Sequence, residues 1–316
     1  MKSYDSIIIG GGPAGLSAAI YLGRAKRSVL IVDAGRGRTT WNQLNENYLG
    51  FPNGIRSQEL VKRGRKQAEN FGAEFSESEV LEIEASGDRS FAVQFDKSAG
   101  ESTLRARSVI FATGVTDVWP PFANVKRYVG HSLFWCIACD GFKTCGKRVV
   151  VLGNSDSAAT TALQLLNYTR DVTFLCSDEQ FDVSAEKQKQ MEERGIAICH
   201  GRIEKAIGKG KQLQALEIQG DQRVELDSLF SQLGQVPNSH LAARLGVHLE
   251  ETGCIRVDAE MLTNIPGVFA AGDVTNQPAQ QVASAAHQGA MAGTSANYYL
   301  YEDAQRSIDI GVKAAE

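Results

Sequence analysis

Cys136-Ile137-Ala138-Cys139-Asp140 is the segment best equipped to do chemistry. Two thiols with two residues between them reach disulfide geometry on one helical turn. At a helix start one of the thiolates is stabilised. A carboxylate next in sequence can supply the proton that a departing sulfur needs, provided burial raises its pKa. A helix cap is the other role open to Asp140. The alternative for the thiols is half of a zinc site, but no second Cys or His pair stands at ligand spacing, and His131 alone does not complete four ligands. Cys145, Cys176, Cys199 and Cys254 are scattered singly and read as buried small apolar residues.

The second chemical feature is a glycine-rich turn, Gly10-Gly11-Gly12-Pro13-Ala14-Gly15. Gly10 permits the turn, Gly12 lets the backbone approach a pyrophosphate, and Gly15 lets helix and strand pack closely. The elements needed to hold it are present. Ser6–Ile9 is a β-branched run before it, and Leu16–Leu22 has helical spacing after it. A second apolar run, Ser28–Val32, ends at Asp33, placed where a carboxylate bonds both ribose hydroxyls of a dinucleotide.

The whole chain suits such elements. It has 316 residues, 43% of them hydrophobic, which fits two globular domains. The net charge of −4 argues against a nucleic-acid or membrane-surface binder. No apolar run reaches the length of a spanning helix, and six cysteines are too few for a disulfide scaffold. A cytoplasmic location is expected. Glycine, at 31 residues, is the informative excess, and it falls at the ends of apolar runs.

Two later segments extend the pattern: Arg107–Gly114, a strand running into Ala-Thr-Gly, and Asn264–Asp273, with Val-Phe-Ala-Ala-Gly-Asp at its end. With the N-terminal glycine turn, these resemble the two-dinucleotide-binding-domain flavoproteins. Adding Cys136-x-x-Cys139-Asp140-Gly141, the chain resembles the low-molecular-weight thioredoxin reductases over nearly its whole length. That resemblance implies an α/β fold of two Rossmann-like, doubly wound domains, the second inserted in the first. The flavin domain would comprise 1–117 and 245–316, and the dithiol-carrying, NADPH-type domain 118–244. It implies FAD as cofactor, held by Gly10, Gly12, Pro13, Ala14, Gly15, Asp33, Gln43, Asn47, Thr113, Gly114, Asp273, Gln281 and Val282. Asp273 would hold the ribityl chain, and the helix beginning near Gln281 would point its N-terminus at the flavin pyrimidine. It also implies a homodimer, with Cys139 facing the flavin, Cys136 attacking the disulfide of thioredoxin, and Asp140 as the acid.

The second nucleotide unit departs from the pattern. Lys147–Gly153 is strand and turn, but Ser155 stands at the second glycine position, where a β-carbon crowds a pyrophosphate. The following strand, Asp171–Leu175, ends in Cys176-Ser177-Asp178, where NADPH-dependent relatives carry His-Arg-Arg. A carboxylate about 5 Å from a 2′-phosphate costs on the order of 3 kcal/mol per unit charge at an effective dielectric near 20. NADPH binding is therefore not expected, whereas Asp178 suits the unphosphorylated ribose of NADH. Gln232–Ser239 still matches the return crossover to the flavin domain. A dithiol kept and a phosphate clamp lost resembles the ferredoxin-dependent flavin thioredoxin reductases, as do Asn45–Pro52 and Trp119-Pro120-Pro121. The donor would then be a one-electron iron–sulfur protein. Small-molecule dithiol oxidases share the missing clamp but typically lack the aspartate found here as Asp140.

Plant-type ferredoxins are acidic, so basic clusters are candidate docking sites. Lys62, Arg63, Arg65 and Lys66 lie on a predicted helix from Ser57 to about Phe71, and Arg24, Lys26 and Arg27 follow the first helix. A solvated helix face explains either equally well. Trp41 and Trp135 suit flavin shielding, partner contact or core packing. The segment 302–316 has little apolar content and is expected either to be disordered or to reach the other subunit.

Overall fold

Residues 2–87, 89–96, 103–177 and 180–301 are described in a computed structural model. The segment 302–316 and the specificity position Asp178 lie outside them.

Continuous apolar runs such as Ile7-Ile8-Ile9 and Val149–Leu152 have no polar face, so they belong in parallel sheets covered on both sides. Two such sheets form. The first is seven-stranded, ordered Glu74–Ser76, Val29–Val32, Ser3–Ile9, Thr103–Phe111, Ser90–Phe95 and Val80–Ser86, with Val268–Ala270 also on Thr103–Phe111. Its first four strands and Val268–Ala270 are parallel, and the Val80–Phe95 hairpin is antiparallel. The second sheet is five-stranded and parallel: Leu133–Phe134, Ser228–Gln232, Val149–Gly153, Val172–Cys176 and Ala197–His200. Residues 133–232 lie between strands of the first sheet, so one nucleotide-type fold interrupts the other, as expected.

Ile7, Ile8, Ile31, Ile110 and Phe111 are fully buried in the first core. Each contributes roughly 2 kcal/mol by leaving water. The second sheet has separate cores on its two faces, around Phe174 and Ala158 on one and around Leu152 and Leu229 on the other. The crossings between the two sheets are held together, since Val115–Asp117 pairs antiparallel with Gln235–Pro237.

Candidate active site

A cavity of about 910 Å³ runs from the first glycine turn to the dithiol. Gly10, Gly12, Pro13, Ala14, Asp33, Gln43, Asn47, Thr113, Gly114, Asp273, Gln281 and Val282 line it, as do Cys136, Cys139 and Asp140. Of the expected site residues only Gly15 is absent from the wall, for it lies beneath the turn.

The turn is built for a phosphate. Gly10 has φ +107°, the left-handed side that favours glycine. A β-carbon on Gly15 would collide with the Gly10 carbonyl. Pro13 opens the helix Pro13–Arg24, whose N-cap is Gly12, with no side-chain cap and no acid in the first turn. The free N–H groups and positive helix end are thus left for an anion. Nothing lies within 4 Å of where a Gly12 β-carbon would be, so the space above it is open. Asp33 ends its strand beside Gly11 and accepts from the Gly35 N–H at 3.1 Å. At the other end of the cavity the helix Val282–Tyr299 also begins without a side-chain cap, at Gln281. Thr113 and Gly114 line the wall while tied to the return crossover. Thr113 Oγ1 donates to the Asn238 carbonyl at 2.7 Å, and the Asn238 N–H donates to the Gly114 carbonyl at 3.0 Å.

Cys136 and Cys139 form a disulfide with Cα atoms 5.3 Å apart. Cys136 is the N-cap of the short helix Ile137–Asp140, and its sulfur accepts from the Cys139 N–H at 3.1 Å. The sulfur, not the Asp140 carboxylate, is therefore the cap. Gln281 Nε2 lies 3.3 Å from Cys136 Sγ, and Gln281 Oε1 lies 3.4 Å from Cys139 Sγ. Asn47 Nδ2 donates to the same Oε1 at 2.9 Å.

Asp140 is buried, and burial pushes its pKa up, with Glu46 adding to the effect and Lys143 opposing it. Lys143 Nζ sits 2.8 Å from Asp140 Oδ1 and 2.8 Å from Glu46 Oε2. Burial works against the Lys143 charge, but its bonds to the two carboxylates outweigh that and raise its pKa. The acid beside the dithiol is thus linked through Lys143 to the exposed Glu46.

Arg38 reaches between two other acids of the wall. It donates to Asp117 at 2.8 and 2.5 Å, to Asp273 at 2.8 Å, and to Gln235 and Gln280 at 2.6 and 3.3 Å. Burial raises the Asp273 pKa against the pull of Arg38. Trp41, Trp119 and Trp135 pack together with ring centroids 4.9–5.2 Å apart, and Trp41 and Trp135 face the cavity.

The second cradle is made differently. Ser155 is the N-cap of the helix Asp156–Leu165, and its hydroxyl accepts from the Ala158 N–H at 3.4 Å. Asp156 occupies the first turn, and its carboxylate accepts from the Ser184 N–H at 2.7 Å. The Asp182 N–H donates to the Asn154 carbonyl at 2.8 Å. One N–H of this helix start is thus taken by its own side chain, while Asn154, Ser155 and Ser157 face the same cavity.

The family model for pyridine nucleotide-disulphide oxidoreductases matches residues 4–290. The thioredoxin reductase of Listeria innocua is 32% identical over 310 residues, covering 95% of each chain. The chain belongs to the thioredoxin reductases of this family. The crystal structure of thioredoxin reductase from Streptococcus pyogenes MGAS5005 superposes with a TM-score of 0.86 at 27% identity, over 94% of this chain and 98% of that one. The atypical thioredoxin reductase TRi from Desulfovibrio vulgaris Hildenborough is 35% identical over 95% of this chain and 98% of that one, with a TM-score of 0.52. Thioredoxin reductases are flavin disulfide oxidoreductases with two Rossmann-like domains, and FAD is the cofactor here. The open glycine turn and uncapped helix starts fit that cofactor.

Some expectations need correcting. Cys145 is exposed, and Cys199 and Cys254 are half-buried, so only Cys176 is a buried core thiol. The basic clusters carry exposed intrachain pairs, which agrees with the solvated-face reading. Arg63 pairs with Glu59, and Arg65 with Glu69 and Glu77. Arg24 stacks on Phe71, and Arg27 bonds Asn297 and stacks on Tyr301. Sequence reasoning missed Arg38, Asp117, Lys143 and Glu46. The signal for Arg38 was present: Ala34-Gly35-Arg36-Gly37-Arg38 follows Asp33 directly.

Proposed function

We propose that this thioredoxin reductase reduces the disulfide of thioredoxin with electrons from reduced ferredoxin, working as a homodimer. Residues 1–117 and 245–316 form the flavin domain, and 118–244 the inserted domain that carries the dithiol without binding NADPH. The observation that carries the donor assignment is the second cradle. Ser155 takes up a phosphate-binding N–H with its own hydroxyl, and Asp156 puts a negative charge in the first turn. Both oppose a pyrophosphate. A folded nucleotide unit without a usable anion site points to electrons arriving by another route.

Gly10, Gly12, Pro13, Ala14 and Gly15 cradle the FAD pyrophosphate, and Asp33 takes the ribose hydroxyls. Gln43, Asn47, Thr113, Gly114, Asp273, Gln281 and Val282 hold the rest. Bound FAD supplies an electron pair assembled from two one-electron transfers. Cys139 receives it and takes up one proton, and the Cys136–Cys139 bond opens to the Cys136 thiolate and the Cys139 thiol. The Cys136 thiolate then attacks the thioredoxin disulfide, forming a mixed disulfide while the other thioredoxin sulfur departs. Asp140 protonates that sulfur, and its burial, which raises its pKa, favours the proton-carrying form. Cys139 closes back onto Cys136 and releases the second sulfur.

Anaerobic mixing with NADPH, NADH or reduced ferredoxin, following flavin bleaching, tests the donor. Reduced ferredoxin is expected to bleach rapidly and to support thioredoxin turnover that Cys139→Ser abolishes. Rapid bleaching by NADPH overturns the assignment. Peroxide release with a small dithiol and no thioredoxin turnover selects an oxidase instead.

A further inference from the structure

Gln281 sits at the start of the helix Val282–Tyr299, yet its side chain reaches the disulfide rather than capping that helix. Its two amide atoms meet the two sulfurs with opposite polarity. The Nε2 donor faces Cys136 Sγ at 3.3 Å, and the Oε1 acceptor faces Cys139 Sγ at 3.4 Å. Asn47 Nδ2, donating to Oε1 at 2.9 Å, holds the amide in this sense. Cys136 Sγ accepts a second N–H, that of Cys139, at 3.1 Å. One sulfur thus has two donors and the other faces an acceptor.

We propose that Gln281, oriented by Asn47, is a positioning residue of the dithiol that makes Cys136 the thiolate and Cys139 the thiol once the disulfide is reduced. Reduction adds two electrons and one proton. The S–S bond breaks, Cys136 leaves with a full negative charge, and Cys139 takes a proton from solvent and directs its S–H at Gln281 Oε1. A disulfide sulfur is a weak acceptor and a thiolate a strong one, so both N–H bonds to Cys136 strengthen as the charge appears. The amide therefore favours the reduced state and readies the nucleophile in the same step. The charged groups around the dithiol are Asp140 with Lys143 and Glu46, and, further along the cavity, Arg38 with Asp117 and Asp273. Gln281→Leu removes none of these, so its effect is separable from theirs.

The inference rests on Cys136 being the attacking thiol, and the test separates the two. The flavin-loaded enzyme is reduced anaerobically and pulsed with iodoacetamide over a range of pH, and each cysteine's labelling is read by peptide mass spectrometry. Cys136 is expected to label with a midpoint below that of an ordinary cysteine. Gln281→Leu moves the midpoint up by about one pH unit, so labelling near neutrality slows about tenfold. Asn47→Leu, which touches neither sulfur, gives a smaller shift in the same direction; should either variant lose its flavin, its dithiol is reduced with a phosphine and its midpoint compared with that of the flavin-free unmodified enzyme. An unchanged Cys136 midpoint in these variants overturns the inference and leaves the nucleophile assignment standing. A low midpoint at Cys139 in the unmodified enzyme overturns both.

Discussion

The chain contains two strand–turn–helix cradles of the same design, and only one is left open. At the first, glycines clear the space, the helix starts on Gly12 without a side-chain cap, and an acid stands only at the far strand end, where a ribose belongs. At the second, Ser155 caps the helix with its own hydroxyl, and Asp156 sits in the first turn. Those two residues suit the helix itself, since hydroxyl caps and first-turn acids stabilise helix N-termini. They spoil it as an anion site for the same reason. A nucleotide cradle is a helix end kept deliberately unsatisfied, and one that satisfies itself becomes scaffold.

Variants can break or sharpen this contrast. The largest effect is expected at the open site. Arg38→Ala leaves Asp117 and Asp273 without their shared cation and lowers stability by about 2–4 kcal/mol, measured by denaturant unfolding. That deficit shrinks as pH falls, because the Asp273 carboxyl, pushed up by burial, takes up a proton in the folded state before it does in the unfolded chain. Next comes Gly12→Ala. Nothing in the protein opposes the added methyl, so unfolding of the flavin-free protein changes by at most about 1 kcal/mol, the cost of a poorer cap. FAD affinity, measured by flavin fluorescence titration, falls by about 1–3 kcal/mol, roughly ten- to hundredfold. The smallest effect belongs to the closed cradle. Ser155→Gly changes stability by only about a few tenths of a kcal/mol, and with Asp156 still in place NADPH does not bleach the flavin.

The open cradle was legible because its signals are local: strand, glycines, Pro13, helix and Asp33 fall within one short stretch. The dithiol was legible because both thiols and Asp140 are neighbours. What escaped was long-range. Lys143 stands only three residues after Asp140, but Glu46 joins the pair only once the loop near Asn47 folds over the dithiol helix. Arg38 meets Asp117 and Asp273 from three segments with no common spacing. Gln281 was assigned to the flavin site by resemblance, and nothing in its neighbours' pattern revealed that its amide lies on the two sulfurs. On the basic helix, local spacing already offered Glu59 to Arg63, whereas the pairing of Arg65 with Glu77 reaches beyond the helix and was not visible.

The tryptophan trio makes the molecule its own optical gauge. The sequence holds three tryptophans, and all of them meet at one joint, Trp41 from the first sheet's side, Trp119 from the crossing segment, and Trp135 one residue before the disulfide. Their intrinsic emission therefore reports on that joint alone, with no dye attached. Any parting of the dithiol from the cavity registers as a change in colour and brightness.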